Sequence, residues 1–263
     1  MKFVNLLLLA QVALPLPSTM GRHMSNVSRQ QYRDAVEKML ADYRAAGPIE
    51  TKQRKYRSVL IGHGWCAEVH RLAEVVLHLI DRGNRHETLI LLRTMVETTL
   101  SLHWLSQKGD AGALGVLAEG GRLNRAAAED MKKAFSVPQE LLDAIKGESV
   151  EKTDESEIFR KFQAQCDEVD PKRELYSVYR YLCGYAHPSW TGASAFIEWT
   201  TEPPSLRSEP KEGGAAVVEA TVAMCLVWAG RAYDEMINGK PRKQLLRSVA
   251  KELGLRAALP LIN

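Results

Sequence analysis

Residues 89–105 read LILLRTMVETTLSLHWL, and this stretch decides the fold class. Apolar side chains recur in it at three- and four-residue spacing around nearly the whole helical circumference. Such a pattern is typical of a helix that is covered by protein on all sides. The stretch therefore predicts a central helix over about 86–107, ended by Lys108-Gly109-Asp110, in a domain built of helices.

Helical periodicity extends through the rest of the chain, with turn residues between the segments. We expect helices over about 30–46, 55–81, 86–107, 111–133, 138–145, 157–166, 172–187, 215–236 and 241–253. Ser28 is a candidate N-cap for the first helix, and Gly62 and Gly64 predict a kink in the second. Residues 201–214 (TEPPSLRSEPKEGG) form a long Pro/Gly-rich loop, and strand-like alternation is absent. The sequence thus predicts an all-α protein, a single helical bundle with one long loop.

The first 23 residues differ from the rest. Lys2 precedes an apolar run over 3–14, which has the outline of a signal peptide but no small-residue cleavage site after it. The run is shorter than the ~20 residues that a membrane span needs. The string GRHM at 21–24 is typical of a cloning junction. We therefore interpret 1–23 as a leader introduced by cloning, with a secretion signal as the alternative, and 24–263 as one helical domain.

Composition excludes several classes of protein. Apolar residues make up 45% and charged residues 25% of the chain, as in ordinary globular domains. The formal net charge is +3, and without Lys2 and Arg22 the 35 basic residues become 33 against 32 acidic ones. No global field therefore attracts nucleic acid, so any such contact is local. Without a CxxC pair or a later membrane-length apolar run, we expect a cytoplasmic protein with reduced thiols and no membrane contact. The cysteines are Cys66, Cys166, Cys183 and Cys225.

The segment YRYLCGYAHP at 179–188 carries the residues best suited to chemistry. Arg180 and His187 are seven residues apart, so on a helix they lie within about 20° of one face. A guanidinium and an imidazole suit phosphodiester cleavage, with His187 moving a proton and Arg180 holding the phosphate. Tyr181 and Tyr185 would bind the phosphate or stack on a base. The alternative is a helix-capping His187 before Pro188 and a surface Arg180.

This segment fits the looser form of the R-x4-6-H motif and resembles the HEPN superfamily, helical proteins that include many ribonucleases. Together with LILLRTMVETTLSLHWL it also resembles the bacterial DUF5677 family. The resemblance implies a metal-independent ribonuclease without a cofactor, in a toxin–antitoxin or phage-defence system. It further implies a homodimer whose two Arg/His pairs share a cleft. Tyr181 stands where the nucleases have Asn, Asp or His. The resemblance equally permits an inactive relative that binds RNA, nucleotide or a protein partner, and an antitoxin would be one such partner.

Arg93 and Glu97 form a second feature of the central helix. They are four residues apart, so their side chains can meet among apolar neighbours. Because burying an ion pair costs desolvation free energy, such a pair is a weak source of stability and a candidate site element. Our hypothesis is that Arg93 and Glu97 shape the pocket that contains His187. A structural bridge between two helices is the alternative.

A competing hypothesis is a metal-dependent helical enzyme. His70, Glu74 and His78 recur every four residues, and two imidazoles with one carboxylate are a metal-ligand set. Further histidines of the bundle could add to it: His63, His86 and His103. The spacing matches neither H-E-x-x-H nor the Glu-x-x-His pattern of di-iron bundles. The alternative is the solvated face of an amphipathic helix.

Overall fold

A computed structural model describes residues 27–47, 56–147, 150–211 and 215–256. The predicted leader over 1–23 lies outside these ranges. Within them the chain forms ten helices and one two-stranded hairpin. The helices are α1 (Arg29–Ala45), α2 (Tyr56–Asp81), α3 (Arg85–Ala134), α4 (Gln139–Lys146), α5 (Asp154–Arg160), α6 (Phe162–Val169), α7 (Glu174–Ala186), α8 (Trp190–Ser194), α9 (Ala215–Met236) and α10 (Lys243–Glu252). The strands are β1 (Ile197–Glu198) and β2 (Ser205–Leu206).

The prediction of an all-α protein is confirmed, with one small exception. Strands β1 and β2 pair antiparallel, Ile197 opposite Leu206 and Glu198 opposite Ser205. The hairpin extends into the stretch that we expected to be a plain Pro/Gly-rich loop. Two residues per strand are too few to produce an alternating pattern, so sequence periodicity could not reveal this pairing.

Local signals set several helix ends correctly. Ser28 is the N-cap of α1: its hydroxyl accepts from the N–H of Gln31, and the Gln31 side chain accepts from the N–H of Ser28, which completes a capping box. In α3 the predicted break falls on Gly109, whose φ of 60° and ψ of −136° depart from helical geometry. This positive φ favours glycine because a side chain would be strained there.

The predicted kink at Gly62 and Gly64 is wrong, because α2 runs unbroken from Tyr56 to Asp81. Gly62 instead allows a close approach between helices. A Cβ atom at this position would collide with the end of the Met236 side chain on α9. The glycine therefore leaves room for the Met236 side chain between α2 and α9, and the helix tolerates its low propensity.

Helix α3 is central as predicted, since it packs against α2, α4, α5, α6, α7 and α9. A second helix is buried more completely. Every residue of α9 from Val217 to Asp234 is buried, including the charged Glu219, Arg231 and Asp234. Helices α1, α2, α3 and α10 surround it. The core thus has two covered helices, and α7 packs on the outside of α3.

The helix predicted over 157–166 is divided in two. Lys161 has φ of −106° and ψ of 88°, which separates α5 from α6. Helix α6 is held on α3 by contacts that include Ser101 Oγ to Gln165 Oε1 (3.0 Å) and Trp104 Nε1 to Glu168 Oε2 (2.6 Å). This places α6 beside α7. In the described part of the chain, no helix combines the length and apolar character that crossing a membrane requires.

Candidate functional site

Helix α7 is fixed at both ends by local contacts. The buried Asp170 carboxylate accepts from three N–H groups of the first turn, those of Glu174 (3.1 Å), Leu175 (2.7 Å) and Tyr176 (3.0 Å). A carboxylate at this position accepts from N–H groups that have no partner within the helix, and its negative charge interacts favourably with the positive end of the helix dipole. At the other end His187 is the C-cap residue, and its N–H donates to Cys183 O (3.3 Å). The side chains on α7 are therefore presented by a rigid element.

An open cleft of about 400 Å³ lies between α6 and α7, and we call it the α7 cleft. Its lining is Phe162, Gln163, Tyr176, Tyr179, Arg180, Cys183 and Gly184. Three of these seven residues are aromatic. The Phe162 and Tyr179 rings are 4.4 Å apart between centroids, and the Tyr176 and Tyr179 rings are 6.1 Å apart. The cleft combines aromatic surface with one cationic side chain.

Arg180 is exposed in the α7 cleft. It forms no ion pair with any described residue, whereas Arg173, about two turns earlier, is bound to Asp167 at 2.8 Å. An unpaired guanidinium retains its full capacity for bidentate hydrogen bonds to a phosphate or carboxylate. Arg180 is therefore available to an anionic ligand.

His187 is exposed at the end of α7 but does not line the α7 cleft. The helix ends at Ala186, and His187 has the extended values φ −119° and ψ 153°. The prediction that Arg180 and His187 share one helix face does not hold for the His187 backbone, because His187 lies beyond the last helical residue. It is about 10 Å from Arg180 along the helix axis. Glu97 on α3 is its electrostatic neighbour, since the two groups interact in the ionised state.

Arg93 joins α3 to α7. Its guanidinium donates to Tyr179 Oη (3.0 Å), lies 5.1 Å from the Tyr179 ring centroid and pairs with Glu97 Oε2 (3.1 Å). Burial lowers the pKa of Arg93, but a hydrogen bond with Cys183 and the charge of Glu97 raise it more, so the net shift is upward. The predicted pair exists and is half-buried. Arg93 also contacts Tyr179 and Cys183, which are both part of the cleft wall.

The Glu97 carboxylate interacts electrostatically with the candidate histidine, His187. Burial raises its pKa, and the charges of Arg93 and His187 oppose that rise in part. The net shift is upward, so desolvation outweighs the two cations. Glu97 thus interacts with both Arg93 and His187, and the hypothesis that the pair shapes a pocket containing His187 stays a prediction.

Tyr181 and Tyr185 lie on the other side of α7 from the cleft. Their hydroxyl oxygens are hydrogen-bonded to each other at 2.9 Å. Tyr181 packs among apolar residues of α3 and α9, and the Tyr185 ring meets His86 edge-on at 5.7 Å. Burial, then the bond to Tyr181, raises the pKa of Tyr185. The structure thus brings Arg180 together with Tyr176 and Tyr179, and not with the two tyrosines that we singled out.

The cysteines divide by exposure. Burial raises the pKa of both Cys66 and Cys225 to about 12 and raises that of Cys166 as well. These three thiols are buried and Cys183 is partly exposed in the cleft wall. Buried thiols with a raised pKa are poor nucleophiles. All four described cysteines are free thiols.

The alternative metal set does not come together. His70 is buried: Nδ1 donates to Cys66 O (2.7 Å) and Nε2 accepts from Arg242 (3.3 Å), so both ring nitrogens are occupied. Glu74 pairs with Arg44 at 2.8 Å, and His78 is exposed. Among the described residues, no three His, Cys, Asp or Glu side chains are grouped to hold a metal ion. The i, i+4, i+8 spacing drifts about 40° per step, which turned His70 inward and His78 outward.

The sequence interpretation missed the residues that form the cleft: Phe162, Gln163, Tyr176 and Tyr179. A signal for Tyr176 was present. Tyr176 lies four residues before Arg180, which places it on the same face, whereas Tyr181 is turned by about 100°. For Phe162 and Gln163 no local signal existed, because they belong to a different helix.

A family model described as "Family of unknown function (DUF5677)" matches residues 59–203, more than half of the chain. The matched region contains Arg93, Glu97, all of α7 and His187, so the whole candidate site falls inside it. No match to the chain was found among curated proteins or among solved structures.

Proposed function

The chain belongs to the DUF5677 family, and we propose that this member binds RNA in the α7 cleft and cleaves it beside the cleft, at His187, without a metal ion. The observation that carries the proposal is Arg180, an exposed arginine without an ion-pair partner in the described chain, set beside aromatic rings in an open cleft. An exposed imidazole, His187, follows on the same helix. Aromatic rings stack on bases and an unpaired guanidinium binds phosphate, so the arrangement fits a nucleic-acid strand.

The proposed reaction is cleavage by the neighbouring 2′-hydroxyl of the RNA. The 2′-oxygen attacks phosphorus, its proton passes to the His187 imidazole, and the 5′-oxygen leaves with a proton. The products are a 2′,3′-cyclic phosphate and a 5′-hydroxyl end. Arg180 stabilises the charge that develops on the phosphate oxygens. His187 serves as the acid/base group because its imidazole is exposed and can accept or donate a proton.

One imidazole accepts or donates one proton at a time, whereas the reaction removes one proton and delivers another. A second copy of the chain would supply the second His187, which is why the proposal includes a homodimer with two Arg/His pairs. The HEPN-like resemblance of the sequence leads to the same arrangement. Such an activity suits a cytoplasmic toxin–antitoxin or phage-defence system, in which an antitoxin or other protein partner restrains the nuclease.

Arg93 and Glu97 have a positioning role in this proposal. Arg93 holds the Tyr179 hydroxyl at 3.0 Å, and Tyr179 is part of the cleft wall. Glu97 interacts electrostatically with His187. The pair therefore connects the cleft wall with the acid/base group.

The test is an RNA cleavage assay in chelator, with product ends identified. We expect cleavage that yields 2′,3′-cyclic phosphate ends and falls by about 10²- to 10⁴-fold in His187→Ala. His78→Ala and Arg247→Ala, which alter exposed residues of α2 and α10, are the matched controls for His187→Ala and Arg180→Ala. Cleavage that survives His187→Ala, or no cleavage of any RNA by the full chain, would sink the proposal.

A second candidate function is a non-catalytic helical interaction module. The observation that favours it is Trp190, which is 57% exposed and whose ring lies 5.7 Å from that of Trp199. Exposed tryptophan is typical of protein-binding surfaces. In this case no RNA is cleaved, and Trp190→Ala weakens binding of a partner protein whereas His187→Ala does not.

A further inference from the structure

We infer that the α7 cleft holds one unpaired nucleotide, with its base on Tyr176 and its phosphate on Arg180. This inference rests on the proposed function, because it names the part of an RNA strand that the same site receives. It goes further in two respects: the recognised unit is a single nucleotide, and a free nucleoside monophosphate is sufficient to occupy it.

The size of the cleft supports a single nucleotide. Its volume is about 400 Å³, which lies in the lower part of the range for small-molecule sites, roughly 300 to 1,000 Å³. Tyr176 and Arg180 are four residues apart on α7, about 6 Å along the helix axis. A base and the phosphate of its own nucleotide are separated by a similar distance. The ring and the guanidinium can therefore contact the two ends of one nucleotide.

Tyr176 is held in place before any ligand arrives. Its hydroxyl donates to Gln163 Oε1 (3.2 Å), and the Arg173 guanidinium lies 5.8 Å from its ring centroid. Arg173 is in turn paired with Asp167 at 2.8 Å. A ring that is already immobilised loses little conformational entropy when a base stacks on it. Because every base has a π-face, this contact is tolerant of base identity.

The charges around the cleft favour a short single strand over a duplex. Of the seven described residues lining the cleft, Arg180 alone carries a formal charge. Binding to duplexes relies on many phosphate contacts, typically about 6 to 10, and loses affinity steeply with salt. One phosphate contact on a single strand gives a slope of only about −0.7 against the logarithm of salt concentration. The recognised ligand is therefore an unpaired nucleotide whose binding depends weakly on ionic strength.

The experiment titrates the full chain with a nucleoside 5′-monophosphate, the matching 3′-monophosphate, the nucleoside and inorganic phosphate. Chemical shifts of the cleft residues report binding. We expect a nucleoside monophosphate to bind more tightly than the nucleoside alone or inorganic phosphate alone. Tyr176→Ala should weaken it about 5- to 100-fold, as loss of one base-stacking contact does. Tyr176→Phe keeps the ring and should stay within a few-fold of the unchanged protein. Arg180→Ala should make the nucleotide and the nucleoside bind equally.

Tyr56→Ala, on an exposed tyrosine at the start of α2, is the matched control and should bind nucleotide unchanged. Circular dichroism and a denaturation curve show whether Tyr176→Ala is folded. If it is not, Tyr176→Phe and Arg180→Ala still decide the question, the first by retained affinity and the second by the lost preference for nucleotide over nucleoside. Nucleotide binding that is undetectable in the full chain, or unaffected by Arg180→Ala, overturns the inference.

The two proposals fail in different ways. Cleavage of RNA that depends on His187, combined with no binding of mononucleotides, rejects the single-nucleotide site and leaves the nuclease proposal standing. Nucleotide binding that depends on Tyr176 and Arg180, combined with no RNA cleavage, supports the single-nucleotide site and rejects the nuclease. Equal binding of duplex and single-stranded RNA of one length also counts against the inference.

Discussion

Two arginine sites of the described chain, one around Arg242 and one in the α7 cleft, differ in burial and in their charged partners. Around Arg242, which is 6% exposed, Nε donates to Asp42 Oδ2 (2.8 Å), one terminal nitrogen donates to His70 Nε2 (3.3 Å), and the Tyr43 ring lies beneath at 5.1 Å. We call this group, with Asp234, the sealed cluster. In the α7 cleft, by contrast, Arg180 is exposed and has no ion-pair partner in the described chain.

The histidines show the consequence. Burial, then the charge of Arg242, lowers the pKa of His70 to about 3, and the ring stacks on Tyr43 at a centroid distance of 3.9 Å. His70 is therefore neutral at physiological pH and cannot exchange protons with a ligand. His187 is exposed beside Glu97. Residue type alone does not separate these two histidines; burial and hydrogen bonding assign one to structure and the other to candidate chemistry.

The sealed cluster also contains an ion that is costly to bury. Asp234 is fully buried, and neither carboxylate oxygen meets full hydrogen-bond geometry with a described donor, although the backbone N–H of Arg242 is near enough to favour the ionised form. Burial raises the pKa of Asp234 to about 6, although the charges of Arg242 and Arg231 oppose the rise. Two nitrogens of Arg231 and one of Arg242 are likewise without hydrogen-bond partners there. The cluster thus connects Arg242 with α1 and α2 through Asp42 and His70. Its buried charges at the same time lower the free energy of unfolding at neutral pH.

The largest expected effect concerns the anchor of the sealed cluster. Arg242→Met should lower the free energy of unfolding by about 3 to 5 kcal/mol, because it leaves Asp234 buried without its main counter-charge and removes the donor to His70. Denaturant unfolding at neutral pH measures it. Arg247→Met, at an exposed arginine on the same helix α10, is the control and should change stability by less than about 0.5 kcal/mol. A loss below about 1 kcal/mol for Arg242→Met would show that the cluster is not an anchor.

A somewhat smaller effect is expected at Asp234. Its pKa is raised in the folded state, so the unfolded chain ionises first as pH rises from 4 to 6, and stability falls over that window. The shift from 3.8 to about 6 corresponds to about 3 kcal/mol above pH 6. Asp234→Asn should therefore be more stable by up to about 3 kcal/mol at pH 7.5 and nearly unchanged at pH 4.

Unfolding curves at several pH values test this. Asp130→Asn, at an exposed carboxylate of α3, is the control and should leave the pH dependence intact. If Asp234→Asn is destabilised at pH 7.5, the carboxylate contributes net attraction to Arg231 and Arg242, and the description of a costly buried ion is incorrect.

The smallest stability effect is expected at the α7 cleft. Arg93→Ala and Glu97→Ala should each change the free energy of unfolding by no more than about 1 kcal/mol, because this i, i+4 pair is only half-buried. RNA cleavage should nevertheless fall by about 10-fold in each, since the pair positions Tyr179 and interacts with His187. Full cleavage activity in both variants, with activity lost in His187→Ala, would refute the positioning role. The contrast with Arg242→Met tests whether one arginine serves stability and the other serves a site.

The part of the site that could be predicted was the part contained in one helix. Arg93 and Glu97 are four residues apart, and their predicted contact exists at 3.1 Å. The helix face shared by Arg180 and Tyr176 also follows from their four-residue spacing, whereas the predicted partner Tyr181 is turned away from Arg180. Phe162 and Gln163 could not be found, because no periodicity within a helix specifies which other helix packs beside it.

The sequence alone determined the helical class, most helix ends, the N-cap at Ser28 and the break at Gly109. These features depend on hydrogen bonds and conformational preferences over four residues or fewer, which a local pattern records. Only the tertiary structure decided which polar residues are sealed. His70 and Arg242 are 172 residues apart in the chain, and their contact depends on how α2 and α10 pack around α9. Burial and its effect on pKa arise from such distant contacts, so Arg242 and His70 belong to a buried cluster, whereas Arg180 lines an open cleft and His187 is exposed at the end of α7.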